Sequence, residues 1–353
     1  LYTALFYFLL TKRYFWAAIV LGLAIATRLT SAIFLPVFFY NFYKDYKNYK
    51  SYILPLLTIP LVFFATNPYV FLDFSAFRGS LNYESAVATG KMLVFYSQSF
   101  LSTLPFEYQL TRIIPWVMNP LAVLLLPAAF IWLVRAVIHY KKNINKEILL
   151  LIFICTYAVF TFTLFVKWTR YVVPLLPLFY LLIFWFFSQT KKFGFLLAVF
   201  FVIIQTLWGV KFFYQTYYLP DTRVLASQWA EKNIPADAKI LSEVYDLGIV
   251  PFNAKFGKNI KLYDFYSLET INNGAMKQFD YIVLPSERLI GQRLRNQKLF
   301  PRGHDFYGKL LDGSLGFKKV YDYPYRQIYL SPEETFSVFD RPRIMIFKNK
   351  NII

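Results

Sequence analysis

The sequence predicts a polytopic α-helical membrane protein, a helix bundle in its membrane part, with a small C-terminal α/β domain. The first observation is a set of uncharged stretches, each with about the 18–22 residues that a helix needs to cross a ~30 Å hydrocarbon layer. The second is that this pattern stops, because residues 214–353 are of ordinary mixed polarity. The uncharged stretches are residues 51–72, 113–134, 148–166, 171–190 and 193–210.

Composition and charge agree with a membrane protein. Hydrophobic residues make up 57% of the chain and aromatic residues 21%, more than a water-soluble surface accommodates. The net charge of +18 would suggest nucleic acid in a soluble chain, but here the cations cluster in short segments between apolar stretches, so we expect no nucleic-acid partner. These cations are Lys12, Arg13, Lys44, Lys47, Lys50, Lys141, Lys142, Lys146, Lys191 and Lys192.

The distribution of charge also predicts an orientation. The segment 67–112 balances three cations against three carboxylates, whereas the short segments are basic. The positive-inside rule therefore places the basic segments in the cytoplasm, residues 67–112 in a large outer loop, and residues 214–353 outside the cytoplasm. The expected organisation is a multi-pass helical region at 1–213 in the cell membrane and an extracytoplasmic α/β domain at 214–353.

Residues 14–43 form an apolar stretch interrupted by Arg28. A single helix of this length would be ~45 Å long and would bury a cation in mid-membrane. We favour two shorter helices that meet at residues 27–30, because irregular backbone at that depth is tolerated where it is buried in protein or lines a cavity. One long helix is the alternative.

The C-terminal domain shows a mixed helix and strand pattern. We predict helices at Thr222–Asn233 and 305–311, strands at 239–242, Tyr281–Leu284 and Phe317–Tyr323, and a closing hairpin of 336–339 with 344–347. No glycine-rich phosphate loop or Cys/His metal spacing is visible, so we expect no metal and no cofactor. His304 is interpreted as a loop residue.

Four stretches, in this order, resemble the membrane-embedded GT-C glycosyltransferases, particularly the protein O-mannosyltransferase-like family 39 and the bacterial lipid A aminoarabinose transferases. They are GLAIATR at 22–28, NPYVFLDF at 67–74, KWTRYVVPLLP at 167–177, and residues 223–235 with 240–246 and 336–347. The first has Arg28 where the family usually has lysine. The resemblance extends over nearly the whole chain.

The resemblance implies transfer of a sugar from a polyprenyl-phosphate carrier to a glycan, lipid or protein acceptor outside the cytoplasm. The catalytic base of the family is typically an aspartate in the first outer loop, which would lie upstream of Leu1. We therefore assign no catalytic residue and expect residues 1–353 alone to lack transferase activity.

The candidate residues for the donor phosphate are cations near the outer side of the membrane. Arg170, Arg28 and Lys167 would stabilise the charge of a phosphate leaving group, and the planar fork of arginine can bind two of its oxygens. The alternatives are an interfacial anchor for Arg170, a helix-capping or carboxylate partner role for Arg28, and snorkelling for Lys167.

The candidate residues for a substrate cleft lie in the predicted outer loop: Tyr69, Asp73, Glu84 and Tyr96. Solvated or structural carboxylates and interfacial aromatic residues are the alternatives. Two other functions also stay open for the whole chain. One is a polytopic transporter or flippase, and the other is a non-catalytic component of a surface-polymer assembly complex.

Overall fold

A computed structural model of the chain describes residues 1–45, 50–139, 145–244, 259–265, 273–325 and 332–351. The chain divides into two compact units. The first unit comprises Leu1–Met92 and Val117–Gln205, and the second comprises Leu93–Trp116 and Thr206–Ile353. The second unit thus includes Leu93–Trp116, most of which was assigned to the outer loop of the helical region.

The described residues up to 213 are mainly helical. The α-helices are α1 (Tyr2–Leu10), α2 (Tyr14–Thr27), α3 (Leu35–Asp45), α4 (Lys50–Thr66), α5 (Tyr69–Leu72), α6 (Phe74–Ala88), α7 (Ile114–Val117), α8 (Ala122–His139), α9 (Asn145–Phe162), α10 (Thr169–Val172), α11 (Leu176–Ser188) and α12 (Gly194–Phe213). Short 3₁₀ segments lie at Leu29–Phe34, Phe95–Phe100, Val173–Leu175 and Lys191–Phe193, and π-helical turns at Gln109–Ile113 and Tyr214–Tyr218.

Three of the described helical segments are long and apolar enough to cross a membrane: Ala122–His139, Thr169–Ser188 and Gly194–Tyr218. Tyr14–Thr27, Leu29–Tyr43 and Ile53–Thr66 are shorter apolar helices. These segments support an association of the chain with a membrane.

Proline accounts for a changed boundary in two of the predicted stretches. The stretch predicted at 51–72 ends at Thr66, one residue before Asn67 and Pro68. The stretch predicted at 113–134 is interrupted at Asn119 and Pro120, and its long helix begins at Ala122. The residue before a proline is biased away from helical backbone, which accounts for the break at each asparagine.

The predicted break around Arg28 is confirmed. Helix α2 ends at Thr27, and Arg28 has extended backbone, with φ −151° and ψ 111°. A 3₁₀ segment at Leu29–Phe34 follows and leads into α3. Neither half of this apolar stretch is a full membrane span, so the arginine lies at a junction of two helical segments.

The segment predicted as an outer loop at 67–112 contains regular structure. After α5, Asp73 starts the fifteen-residue helix α6, and its Oδ1 accepts a hydrogen bond of 3.0 Å from the backbone N–H of Ala76. An aspartate at this position satisfies one of the free N–H groups of a first helical turn. The charge balance of this segment predicts a loop but does not indicate the cap at Asp73.

The second unit contains a five-stranded mixed sheet. Its strands are β1 (Ile240–Glu243), β2 (Ile260–Tyr263), β3 (Tyr281–Leu284), β4 (Phe317–Tyr323) and β5 (Ile344–Asn349), in the order β2-β1-β3-β5-β4. Strands β2, β1 and β3 are parallel, and β5 is antiparallel to β3 and β4. Helices α13 (Thr222–Asn233), α14 (Ile290–Arg295) and α15 (Pro301–Asp312) complete the unit.

Hydrophobic cores cover both faces of the sheet. Successive strand residues point to opposite faces, and Ile282 and Val283 on β3 belong to two different clusters. One cluster includes Phe306 of α15, and the other includes Ala226 of α13. The predicted helix at Thr222–Asn233 and the predicted strands at Tyr281–Leu284 and Phe317–Tyr323 are confirmed with these bounds, and the C-terminal part is an α/β domain.

Two predictions for this domain are wrong. Residues 336–339 do not form a hairpin strand but lie in a π-helical segment, Thr335–Asp340, where the Glu333 carbonyl accepts hydrogen bonds from two backbone N–H groups. Both edges of β5 are occupied by β3 and β4, so no edge is free for another strand. His304 is also not a loop residue: it lies in α15, with its Nδ1 3.1 Å from the Leu294 carbonyl oxygen.

Candidate functional site

A cavity of about 970 Å³ lies within the first unit. Its walls come from the junction after α2, the end of α4, helices α5 and α6, and the start of α10. It brings together five of the residues predicted as site candidates: Arg28, Tyr69, Asp73, Glu84 and Arg170. The described residues thus contain a large cavity whose lining is mainly apolar and includes several charged and polar side chains.

Arg28 is held by polar contacts at the break between its two helical segments. Its Nη1 donates hydrogen bonds to the hydroxyl of Tyr157, at 3.2 Å, and to the backbone carbonyl of Arg170, at 3.0 Å. The guanidinium carbon lies 5.0 Å from the ring centroid of Tyr171, a cation–π distance. In the described part of the chain, no carboxylate forms a salt bridge with Arg28.

Tyr157, which receives the hydrogen bond from Arg28, is fixed by a buried aromatic cluster. Its side chain has no solvent exposure, and its ring lies 5.1 Å from that of Tyr2 and 6.1 Å from that of Phe34. The hydroxyls of Tyr2 and Ser31 are hydrogen-bonded at 2.8 Å. Packing on three different segments therefore sets the direction of the Arg28 guanidinium, which is what a preorganised binding group requires.

Arg170 lies in the first turn of α10 and is exposed. Its guanidinium carbon is 4.1 Å from the ring centroid of Trp168 and 5.7 Å from that of Tyr171. Because Tyr171 also contacts Arg28, one aromatic ring lies beside both guanidinium groups. The cavity therefore has two arginines that line the same space and are linked through an aromatic side chain and a backbone carbonyl.

The acidic and aromatic candidates lie on α5, on α6 and between them. Asp73 and Glu84 line the cavity and are exposed, as is Tyr69. The cap that Asp73 forms on α6 supports a structural role for this carboxylate, the alternative considered from sequence. The cavity thus has both cationic groups, suited to an anion, and hydrogen-bond acceptors, suited to hydroxyl groups.

Two predicted residues are not part of the cavity. Lys167 is 4% exposed, and its Nζ donates a 3.0 Å hydrogen bond to the Phe165 carbonyl. Burial lowers the pKa of the Lys167 ammonium, and such a buried group does not match snorkelling. Tyr96 belongs to the second unit, where its ring packs edge-on against Phe95.

Sequence reasoning missed Asn67, Tyr157 and Tyr171 as residues at this site. Asn67 and Tyr171 line the cavity, and Tyr157 positions Arg28. The available signal was the hydroxyl of Tyr157 in the middle of the apolar stretch 148–166. Because the chain has 28 tyrosines, this one does not stand out in the sequence. No group of three or more His, Cys, Asp or Glu side chains among the described residues is arranged to hold a metal ion.

Comparison of the chain with protein-family models, with curated proteins and with solved structures found no match.

Proposed function

We propose that the chain is a membrane glycosyltransferase, or the C-terminal portion of one. It would transfer a sugar from a polyprenyl-phosphate-linked donor to a protein, lipid or surface glycan acceptor on the extracytoplasmic face. This proposal rests on the finding that Arg28 and Arg170 line one cavity of about 970 Å³ near apolar helices. The GT-C resemblance seen in the sequence motivates the same activity.

The two arginines suit the chemistry of such a transfer. An acceptor hydroxyl loses its proton to a general base, for which we assign no residue, and its oxygen forms a bond to the anomeric carbon of the sugar while the bond from that carbon to the phosphate oxygen breaks. Negative charge then develops on the leaving phosphate, and guanidinium groups placed beside it stabilise that charge. Arginine can also bind two phosphate oxygens in one plane, which orients the leaving group.

The surroundings of the cavity suit the lipid part of such a donor. Helix α4 contributes lining residues at its C-terminal end and exposes large apolar side chains along its length, including Leu57 and Leu61, which are 61% and 71% exposed. An isoprenoid chain would lie against this apolar surface while the phosphate end reaches the arginines. Asp73 and Glu84 would accept hydrogen bonds from sugar hydroxyls.

A transporter or flippase is the second candidate, and the break at Arg28 favours it. Transporters bind substrates at discontinuous helices of this kind. Movement of the intact lipid-linked sugar between leaflets of a liposome would support transport. Formation of a new glycosidic bond by the complete protein would support the transferase.

A binding experiment tests the role of the two arginines. The chain is purified in detergent and titrated with a polyprenyl phosphate. Arg28→Ala and Arg170→Ala should each weaken binding about 10- to 100-fold, because a hydrogen bond to a charged group contributes about 1.5–3 kcal/mol. The affinity of Arg170→Lys for the polyprenyl phosphate should lie between those of Arg170→Ala and the parent chain, because lysine keeps the charge but lacks the planar guanidinium.

The matched control is Arg135→Ala. Arg135 is exposed on α8, is not among the lining residues of the cavity, and stacks on Trp132 at 5.6 Å. This variant should bind the lipid phosphate as the parent chain does. Equal affinities for all four variants would contradict the proposal.

A further inference from the structure

A second cavity, of about 250 Å³, lies within the second unit at the C-terminal end of helix α12. Its walls come from the last turns of α12 and the π-helical turn after it, from Trp116, and from Tyr325 and Arg341 with their surroundings. It shares no lining residue with the larger cavity of the first unit. We call it the α12-end cavity.

Aromatic side chains form much of the wall of the α12-end cavity. Trp208 Nε1 donates a 3.3 Å hydrogen bond to the Trp116 carbonyl, and the two ring centroids lie 6.3 Å apart. Trp116 and Phe212 also pack against Phe336, with centroid distances of 6.1 and 5.7 Å. Contacts between three separate segments of the unit therefore hold this wall in place.

Lys211 is the first cation of the lining. Its side chain is exposed, and its Nζ lies 4.9 Å from the ring centroid of Trp208, a cation–π distance. In the part of the chain that the structure describes, no carboxylate forms a salt bridge with Lys211, and none of the lining residues is acidic. The cavity thus presents an ammonium group that has no protein anion beside it.

Arg341 is the second cation of the lining. Its Nη1 donates a hydrogen bond to the Gln215 carbonyl, and its Nη2 donates one of 2.9 Å to the Tyr323 hydroxyl. The pKa of Asp221 is lowered mainly by a hydrogen bond from Arg223, and the charge of Arg341 contributes to the shift. Part of the Arg341 charge is therefore balanced within the unit, whereas that of the lysine is not.

The α12-end cavity lies at the end of a helical segment that is long and apolar enough to cross a membrane, Gly194–Tyr218. Lys211 lies roughly 10 Å along the helix from the end of this segment. Tryptophan and lysine at such a position lie at the level of the lipid head groups. Leu207 and Val210, on the same part of α12, are 64% and 60% exposed, and such an apolar surface suits acyl chains.

The size and charge of the α12-end cavity limit the class of ligand. The cavity has room for a phosphate group with a small polar substituent, roughly ten heavy atoms in all. A phosphodiester carries one negative charge at neutral pH and accepts hydrogen bonds, which matches lysine and arginine as donors. A head group that adds its own cation, such as choline, would be repelled by the two lining cations.

We infer that the α12-end cavity binds the head group of an anionic phospholipid, whose phosphodiester contacts Lys211 and whose acyl chains lie against α12. A lipid of this kind is not the sugar donor proposed above. The inference does not depend on the glycosyltransferase proposal, because the two cavities share no residue.

Native mass spectrometry of the delipidated full chain in a neutral detergent tests the site. Phosphatidylglycerol and phosphatidylcholine with identical acyl chains are titrated in parallel. We expect phosphatidylglycerol to bind at least about tenfold more tightly, because it lacks the repelled cation. Glycerophosphoglycerol, the same head group without acyl chains, should bind at least about tenfold more weakly than phosphatidylglycerol. Equal binding of these two would assign the cavity to a free phosphodiester and overturn the lipid assignment.

Lys211→Gln should remove most of the preference for phosphatidylglycerol, and Lys211→Arg should retain it. The parent side chain is exposed, so we expect both variants to fold. Lys232→Gln is the matched control, because Lys232 is exposed on α13 of the same unit and does not line the cavity. Repeating the series with Arg28→Ala separates the two sites: this change should weaken binding at the larger cavity and leave the preference at the α12-end cavity unchanged.

Three results would overturn the site. They are equal affinities of the parent chain for the two lipids, an undiminished preference in Lys211→Gln, and an equal loss of preference in Lys232→Gln. The first two would indicate that Lys211 and its aromatic neighbours are only an interfacial belt. The third would indicate that anionic lipid is attracted by the net charge of the chain and not by this cavity.

Discussion

At the scale of single residues, Arg343 joins two carboxylates in the second unit. Its side chain is 3% exposed, its Nε donates to Asp322 Oδ1 at 2.6 Å, and its Nη1 contacts Glu287 at 3.2 Å. Burial alone would raise the pKa of Asp322, but hydrogen bonds from Arg343 and Lys319 outweigh it and hold that pKa below its usual value. The ionised form of Asp322 therefore stabilises the folded domain.

This ion pair predicts a pH dependence of stability. Because the pKa of Asp322 is lower in the folded state, its contribution is complete above the unfolded pKa of about 3.9 and is lost as the pH falls through the folded value. Asp322→Asn should lower the free energy of unfolding at pH 7 by up to about 3 kcal/mol, measured by denaturant titration. The difference from the parent chain should shrink below about pH 4.

The control for this titration is Asp305→Asn. Asp305 forms an exposed pair with Lys309 at 2.8 Å, and pairs of this kind contribute little. The ion-pair assignment would be contradicted if the free energies of unfolding of Asp322→Asn and the parent chain differed as much at the lowest pH as at pH 7.

Single charged residues in apolar surroundings were a good but incomplete guide to the candidate site. Arg28 and Arg170 were predicted from sequence, and both line the cavity. Lys167 gave the same signal, but its ammonium is buried against the Phe165 carbonyl. The direction of a side chain in a tight turn depends on tertiary packing, which a pattern of residue types does not contain.

At the scale of elements, helices α2 and α4 pack against each other at Gly22. A Cβ atom at Gly22 would lie 2.8 Å from the backbone oxygen of Ile59 and 2.9 Å from the Cβ of Val62. Backbone on the facing helix cannot move aside cheaply, so the close approach of the two helices requires glycine at this position.

Gly22→Ala should therefore destabilise the first unit by about 1–3 kcal/mol, the usual cost of overpacking. The measurement is thermal or denaturant unfolding in detergent. Gly79→Ala is the matched control, because Gly79 lies inside α6 and a Cβ there would meet no atom within 4 Å. It should be neutral or stabilise by up to about 1 kcal/mol through helix propensity. Equal stability of both variants would contradict the packing argument.

Secondary-structure elements with a strong local sequence pattern could be predicted. Elements whose conformation depends on tertiary contacts could not. Helix α13 has a proline-terminated helical pattern, and β3 and β4 are short apolar or alternating runs, so their bounds follow from sequence. Residues 336–339 also show strand-like composition, but a strand needs an edge to pair with, and both edges of β5 are occupied. Local composition cannot report whether an edge is free.

At the scale of the whole molecule, the charge pattern predicts which side of the membrane each part occupies. A reporter fused after Asn145, in a basic segment, should be cytoplasmic, and a reporter fused after Ile353 should be extracytoplasmic. Alkaline phosphatase and green fluorescent protein fusions, which are active on opposite sides, provide the measurement. Finding both fusion sites on the same side would contradict the predicted orientation.

We propose that the cavity beside Arg28 and Arg170 binds the phosphate end of a lipid-linked sugar. Photocrosslinking with a polyprenyl phosphate that carries a diazirine near its phosphate tests this most directly, with labelled peptides identified by mass spectrometry. We expect labelling of peptides around Arg28, in α5 and α6, and around Arg170, with a lower yield in Arg28→Ala and Arg170→Ala. Labelling confined to the exposed apolar surface of α12, with the same yield in both variants, would contradict it.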